Sequence, residues 1–310
     1  MIKIVFFGTP QIAVKSLEYL NSLKDMEVLA VVTQPDKPAG RGNKLTMSPV
    51  KQFALSNSIP IFQPKSIRKE PQVQEELKKL NPDFFVTFAF GQILSQEVLD
   101  IPKFCTINLH ASLLPRYRGA NPIQRAIING DKETGICTMI TELGLDCGDV
   151  CLKETIEIPE DMNCEQLSNE ISELSPQLLE KTLKSLYENT LTPVPQSEDG
   201  VCMANKVAKD ETLIDWSKSS KEIHNLVRGI FKSPGAYFLF NDKIVKVMET
   251  ACGNFSDSQN YGEIIRVTKD GVEFACKGGS IIVKKVKPEG KGEMPARDWY
   301  NGVKNKVNKK

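Results

Sequence analysis

The sequence predicts an α/β protein: a doubly wound, mostly parallel sheet followed by a small β-barrel or sandwich. Three observations carry that expectation. Apolar runs alternate with segments of helical periodicity through residue 187. The early runs are apolar on both faces, as strands covered by helices on two sides must be. Beyond residue 200 the pattern changes to short alternating runs at close spacing, which suits a small β domain.

The opening run 2–7 reads as a strand, and Gly8-Thr9-Pro10 turns it into a helix at 11–23. A second strand spans 27–33. The stretch 35–44 is built from turn formers and cations, and Pro or Gly interrupts it every few residues. It reads as an exposed, mobile basic loop that is neither helix nor strand. A weaker strand at 59–62, a helix at 70–80 and strands at 83–90 and 104–109 follow. A helix at 121–129, a strand at 135–141 taken as parallel, and a helix at 163–187 complete the series. Residues 191–200 look like a linker. A helix at 218–231 then precedes runs at 236–240, 243–249, 261–267, 272–275 and 280–286. The expected organisation is an α/β domain at 1–189, a linker at 190–207 and a basic β domain at 208–310.

At roughly 150 residues per domain, 310 residues make about two domains. Hydrophobic residues at 40% and charged residues at 25% exclude a disordered chain. No apolar run approaches the ~20 residues that cross a membrane. The first strand begins at Ile2 with no leader-like cleavage region, so a cytoplasmic protein is expected. The eight cysteines include no Cys-x-x-Cys pair, and the two histidines are His110 and His224. No metal site is expected, and the thiols should be reduced and mostly buried. The net charge of +1 hides an asymmetry. Residues 1–205 hold 20 Lys+Arg against 26 Asp+Glu, a net of −6, and residues 206–310 hold 20 against 13, a net of +7. Such a division suggests a polyanion met by the second part. Within the first part, seven cations and no acid lie from Lys37 to Lys69.

Two glycine motifs argue against dinucleotide binding and nucleotide hydrolysis. Gly8-Thr9-Pro10 is not the dinucleotide fingerprint, and Gly40-Arg41-Gly42-Asn43-Lys44 lacks the ending of a phosphate loop. The informative stretch is 105–115. Alternation along a strand puts Asn108 and His110 on one face, with Ile107 and Leu109 toward the core. The strand stops at Ser112-Leu113-Leu114-Pro115, so an amide and an imidazole meet at a carboxyl end, where this sheet class keeps its ligands. Asn is a neutral donor for a developing oxyanion, and His moves protons near neutral pH. A buried histidine held by a backbone carbonyl fits the same pattern. Gly144-Leu145-Asp146-Cys147-Gly148-Asp149 follows the strand at 135–141. Its Asp146 can reach the same crevice and orient the His110 ring, or it can cap backbone amides in a turn.

Asn108-Leu109-His110, the segment 112–119 and the segment 144–149 resemble the catalytic motifs of the folate-dependent formyltransferases. The segments 4–10 and 33–42 resemble, more narrowly, those members that formylate an aminoacylated initiator tRNA. The resemblance covers essentially the whole chain. Cys147 stands where Thr is frequent in the family and Ala111 where Gly is common, and neither is a catalytic position. The resemblance implies a Rossmann-like formyltransferase domain followed by an open β-barrel of the oligonucleotide-binding type. It implies 10-formyltetrahydrofolate as formyl donor, no metal, and direct acyl transfer to an α-amine with no covalent enzyme intermediate. Asn108, His110 and Asp146 would be the catalytic set. Phe90, Ile93 and Leu94, with Ser112, Leu113, Leu114 and Pro115, would hold the folate. Lys37, Arg41 and Lys44 would touch the tRNA, and the protein would act as a monomer. The competing expectation is a folate-dependent formyltransferase acting on a sugar-nucleotide amine or a purine precursor. That enzyme would keep the catalytic three without needing the cations at 37–51 or a basic second domain.

Overall fold

The structure is a computed structural model and describes residues 1–39, 44–254 and 260–304. The chain forms two compact units. The first comprises Met1–Gly119, Thr134–Glu157 and Ser168–Met203; the second comprises Ala120–Glu133, Ile158–Leu167 and the chain from Ala204 onward.

The early elements, in chain order, are β1 (Ile2–Gly8), α1 (Val14–Ser22), β2 (Met26–Val32), β3 (Lys37–Ala39), β4 (Lys44–Thr46), α2 (Pro49–Ser56) and β5 (Ile61–Phe62). Next come α3 (Pro71–Lys79), β6 (Phe84–Phe88), α4 (Gln96–Leu99), β7 (Cys105–His110), β8 (Arg118–Gly119) and α5 (Pro122–Ile128). β9 (Glu133–Ile140), β10 (Val150–Glu157), α6 (Cys164–Tyr187) and β11 (Met203–Ala204) follow. A seven-stranded sheet in the order β10-β9-β7-β6-β1-β2-β5 forms the first unit. β1 pairs in parallel with β2 and β6, β2 with β5, and β6 with β7. Strand order therefore reverses between β1 and β6, a switch point that opens a crevice at the carboxyl ends. Phe6, Phe7, Phe84 and Phe85 are fully buried on the two faces of these strands. That is why the runs are apolar throughout instead of alternating.

Two expectations are corrected. The strand at 135–141 is not parallel: in β9, Ile140 pairs with Ile107 and Cys137 with His110, an antiparallel register against β7. Apolarity on both faces reports burial between neighbours, not strand direction, and β9 lies between β7 and β10. The stretch 35–44 is not wholly irregular, because β3 and β4 pair as a short antiparallel ribbon. Pro38 is tolerated there since each strand of a two-stranded ribbon is an edge. Residues 40–43, including Arg41, lie outside the described residues. Periodicity does not mark α2 or β10. The start of α2 is nevertheless written in the sequence: Ser48 Oγ accepts the Lys51 N–H at 3.1 Å and Pro49 fills the first helical position.

The second unit holds α7 (Ser220–Gly229), β12 (Tyr237–Phe240), β13 (Lys243–Cys252), β14 (Ile264–Val267), β15 (Val272–Cys276), β16 (Gly279–Pro288), β17 (Met294–Pro295) and α8 (Ala296–Val303). Its antiparallel strands run β12-β13-β16-β15-β14, with β17 on β16, as an open half-barrel. Ser219 and Glu222 close a capping box on α7. The core is aromatic: Trp216 stacks on Phe274 at 4.8 Å, and Phe238 meets Trp299 edge-on at 5.7 Å. Among the described residues no helix is long and apolar enough to cross a membrane.

Candidate active site

Asn108 and His110 lie two residues apart on β7, and their side chains converge on one carboxylate. Thr87 is the β6 residue paired with Asn108, and it donates its hydroxyl to Asn108 Oδ1 at 2.8 Å. The amide is thereby oriented with Nδ2 outward, 3.5 Å from Asp146 Oδ1. His110 is only 5% exposed. Its Nε2 lies 2.9 Å from the Tyr117 carbonyl oxygen. A carbonyl only accepts, so Nε2 carries a hydrogen and Nδ1 is the ring atom left for chemistry. Nδ1 stands 3.7 Å from Asp146 Oδ2, beyond hydrogen-bond reach but within that of an ion pair. The direct hydrogen bond that orients the ring thus comes from Tyr117, not from Asp146.

Asp146 sits in the left-handed region, with φ +50°, a conformation Asp tolerates better than most residues. Because β9 runs antiparallel to β7, its following loop starts beside Thr106, whose carbonyl accepts the Thr141 N–H at 2.8 Å. The loop then turns back to bring Asp146 over Asn108 and His110. Asp146 Oδ2 accepts the Gly119 N–H at 2.8 Å. Gln196 Nε2 donates to the carbonyls of Asp146 and Gly148 at 2.9 and 2.8 Å. Residue 148 must be glycine, since a Cβ there would overlap the Ile140 carbonyl. Sequence reasoning passed over Thr87 and Gln196. Cross-strand pairing could have found Thr87; Gln196, fifty residues from Asp146, carries no local signal.

The expected folate residues divide. Ser112 and Leu114 are fully buried, and Phe90 and Leu94 nearly so. Phe90 and Leu94 pack in one core cluster with Phe7 and Phe85. These four can therefore serve a ligand through backbone groups, not as slot-lining side chains. Leu113 and Pro115 are half-buried, whereas Ile93 is 67% exposed. On the loop after β9, Leu143 and Leu145 are also exposed. Of the expected tRNA residues, Lys37 is exposed at the start of the ribbon and Lys44 stands opposite Ala39 in its register. Lys51 is engaged elsewhere, donating to Asp36 at 2.6 Å. Among the described residues no group of three or more His, Cys, Asp or Glu could hold a metal ion.

Residues 2–183 match the family described as formyl transferase, and residues 206–304 match its C-terminal domain. The chain belongs to the formyl transferase family. Among its relatives, the methionyl-tRNA formyltransferase of Clostridium novyi is 42% identical over 300 residues, 97% of this chain and 96% of the relative. That of Clostridium tetani is 43% identical over 309 residues, 100% of this chain and 98% of the relative. The solved N-formyltransferase from Helicobacter canadensis, in complex with folinic acid and dTDP-3-aminofucose, is similar with a TM-score of 0.68 at 23% identity. It covers 91% of this chain and 99% of its own, a likeness of fold. Both units of this formyl transferase therefore have counterparts in the family.

Proposed function

We propose that this formyl transferase moves a formyl group from 10-formyltetrahydrofolate to the α-amine of methionyl initiator tRNA, giving N-formylmethionyl-tRNA for translation initiation in the cytoplasm. The observation that carries the chemistry is the convergence of Asn108 Nδ2 and His110 Nδ1 on Asp146, at 3.5 and 3.7 Å. The acceptor follows the relatives named methionyl-tRNA formyltransferase, 42–44% identical over nearly the whole chain.

The folate supplies the formyl group as an N-acyl donor. Exposed Ile93, Leu143 and Leu145 offer apolar contact to a flat ring, and the backbone around 112–115 offers polar groups. As the neutral amine adds to the formyl carbon, negative charge gathers on the formyl oxygen. Asn108, its amide fixed by Thr87, donates Nδ2–H there. His110, protonated to the imidazolium, donates from Nδ1, the atom that Tyr117 leaves open. Asp146 steadies the proton on Nδ1 and takes up the proton leaving the amine; the tetrahedral centre then collapses with cleavage of the N10–formyl bond, and that proton passes to N10 of the departing tetrahydrofolate. Each preorganised donor is worth ~3 kcal/mol in the transition state. Lys37, Arg41 and Lys44 contact acceptor-stem phosphates, and the basic 208–310 domain supplies the larger electrostatic footprint.

The test is a formyl-transfer assay from 10-formyltetrahydrofolate with two acceptors, methionyl initiator tRNA and a sugar-nucleotide amine. Turnover is expected with the tRNA alone. His110→Ala and Asp146→Ala should each remove most of it, and the double variant should lose much less than the sum. Turnover of the sugar amine, or near-full activity of His110→Ala, would refute the reading.

A further inference from the structure

Gln196 belongs to the segment between α6 and β11, yet both hydrogens of its side-chain amide are spent on the catalytic loop. Both amide hydrogens are used: Nε2 donates to the Asp146 carbonyl at 2.9 Å and to the Gly148 carbonyl at 2.8 Å. Oε1 accepts the Arg118 Nε–H at 3.0 Å. A half-turn of this amide would set its oxygen against two carbonyls and its NH2 against a guanidinium, so one orientation is enforced. The segment itself is pinned, because Val194 and Val150 exchange both backbone hydrogen bonds at 2.9 Å. The contacts close a ring. Arg118 holds Gln196, Gln196 holds the backbone of Asp146, and the N–H of Gly119, next to Arg118, holds Asp146 Oδ2 at 2.8 Å.

We propose that Gln196 is a positioning residue, which through the Asp146 and Gly148 carbonyls aims the Asp146 carboxylate at Asn108 and His110. The proposal rests on the catalytic reading of Asp146 given above. Asp146 occupies a left-handed backbone conformation, with φ +50°, and a loop in that state relaxes when its outer restraints go. Gly119 alone fixes one carboxylate oxygen but not the loop that carries it. Loss of the two Nε2 bonds should let the carboxylate drift, and misplacements of about 1 Å cost up to ~10²-fold in rate. The folate contacts proposed at Ile93 and 112–115 lie on other segments and should not change, while Leu143 and Leu145 lie on the loop itself and can shift with it.

The test is a cycle of Gln196→Met with Asp146→Ala, read in single-turnover formylation with donor KM and thermal midpoint. Gln196→Met keeps the side chain's length and removes both donors. It should lower kcat at least about tenfold, change donor KM by a smaller factor than kcat and shift the pH profile of kcat. In the Asp146→Ala background it should cost nothing further. Gln196→Glu keeps the acceptor for Arg118 but has no donor; it repeats the cycle if the methionine variant folds poorly. An equal proportional loss in both backgrounds, or native kcat in Gln196→Met and Gln196→Glu, would overturn the proposal. Full turnover by Asp146→Ala alone would show that the catalytic reading has failed, and the proposal with it.

Discussion

Thr87 donates its hydroxyl to Asn108 Oδ1 across the β6–β7 register at 2.8 Å. The two ends of an Asn amide have the same shape and opposite chemistry. Turned around, Asn108 would present an acceptor to a developing oxyanion. Thr87 is buried, and its other acceptor, the Ile107 carbonyl, is farther off at 3.5 Å. Thr87→Val keeps the shape and deletes the bond. A net hydrogen bond of ~1 kcal/mol, at 1.4 kcal/mol per tenfold, predicts a fall in kcat of about five- to tenfold. Thr87→Ser should recover most of it, with donor KM steady in both. Steady-state formylation with the three proteins decides; native kcat in the valine variant would remove Thr87 from the account.

The sequence left two readings open for each of two residues, and the structure realises both together. His110 is held by a backbone carbonyl, that of Tyr117, and it also faces Asp146. Asp146 caps a backbone amide, that of Gly119, and still reaches the ring. The meeting of Asn108 and His110 was legible because side-chain alternation is a local property of a strand. The direction of β9 was not, because a strand buried on both faces is equally apolar either way. Phe90 and Leu94 looked like slot residues for a related reason: an apolar side chain after a strand suits a core or a ligand equally until its neighbours are known. They face Phe7 and Phe85. Gln196 was illegible altogether, since its role depends on where a distant segment crosses the loop.

Arg125 grips Glu211 in the second unit with two nearly parallel bonds, Nη1 to Oε2 at 2.6 Å and Nη2 to Oε1 at 2.8 Å. The Ala208 N–H adds a third at 2.8 Å. Together they hold the Glu211 carboxyl down to about 2 from its ordinary 4.5. Folding therefore favours the carboxylate. The contribution is fully present above pH 4.5 and is lost as pH falls toward 2. Glu211 is 39% exposed, so screening limits it to about 1 kcal/mol or less. Glu211→Gln should lower stability at pH 7 and progressively less between pH 4.5 and 2. Urea denaturation across that range checks it, and a pH-independent difference would contradict it.

Burial pushes the Cys137 and Cys151 thiols up to about 12, and that of Cys105 up to about 11. Cys252 is exposed. The thiolate is the nucleophile, so few thiolates form at the buried sites near pH 8. Iodoacetamide should label Cys252 first in the folded protein, and Cys137 and Cys151 last. Peptide mass mapping over time gives the order. Labelling of Cys137 as fast as Cys252 in native protein would contradict it.

The β3–β4 ribbon is anchored at its base by Asp36, which accepts from Lys51 at 2.6 Å and from Gln63 at 2.8 Å. Lys51 thus serves the fold. Lys37 and Lys44 lie in the ribbon, and these two with Arg41 are the cations proposed for tRNA phosphates. Each phosphate contact releases counterions, so removing one cation should reduce the log–log salt slope of tRNA binding by about one. Arg41→Ala should weaken binding most, because a planar guanidinium can hold a phosphate in bidentate fashion where Lys acts as a point charge. Lys37→Ala and Lys44→Ala should each change the slope similarly with a smaller loss of affinity. None of the three should alter donor KM. Lys51→Ala should do the reverse, lowering thermal stability and leaving the slope alone. The measurement is tRNA affinity of the four variants across a salt series. If the Lys37, Arg41 and Lys44 variants match the parent in affinity and slope, acceptor recognition belongs to the basic second unit and these three cations have no part in it.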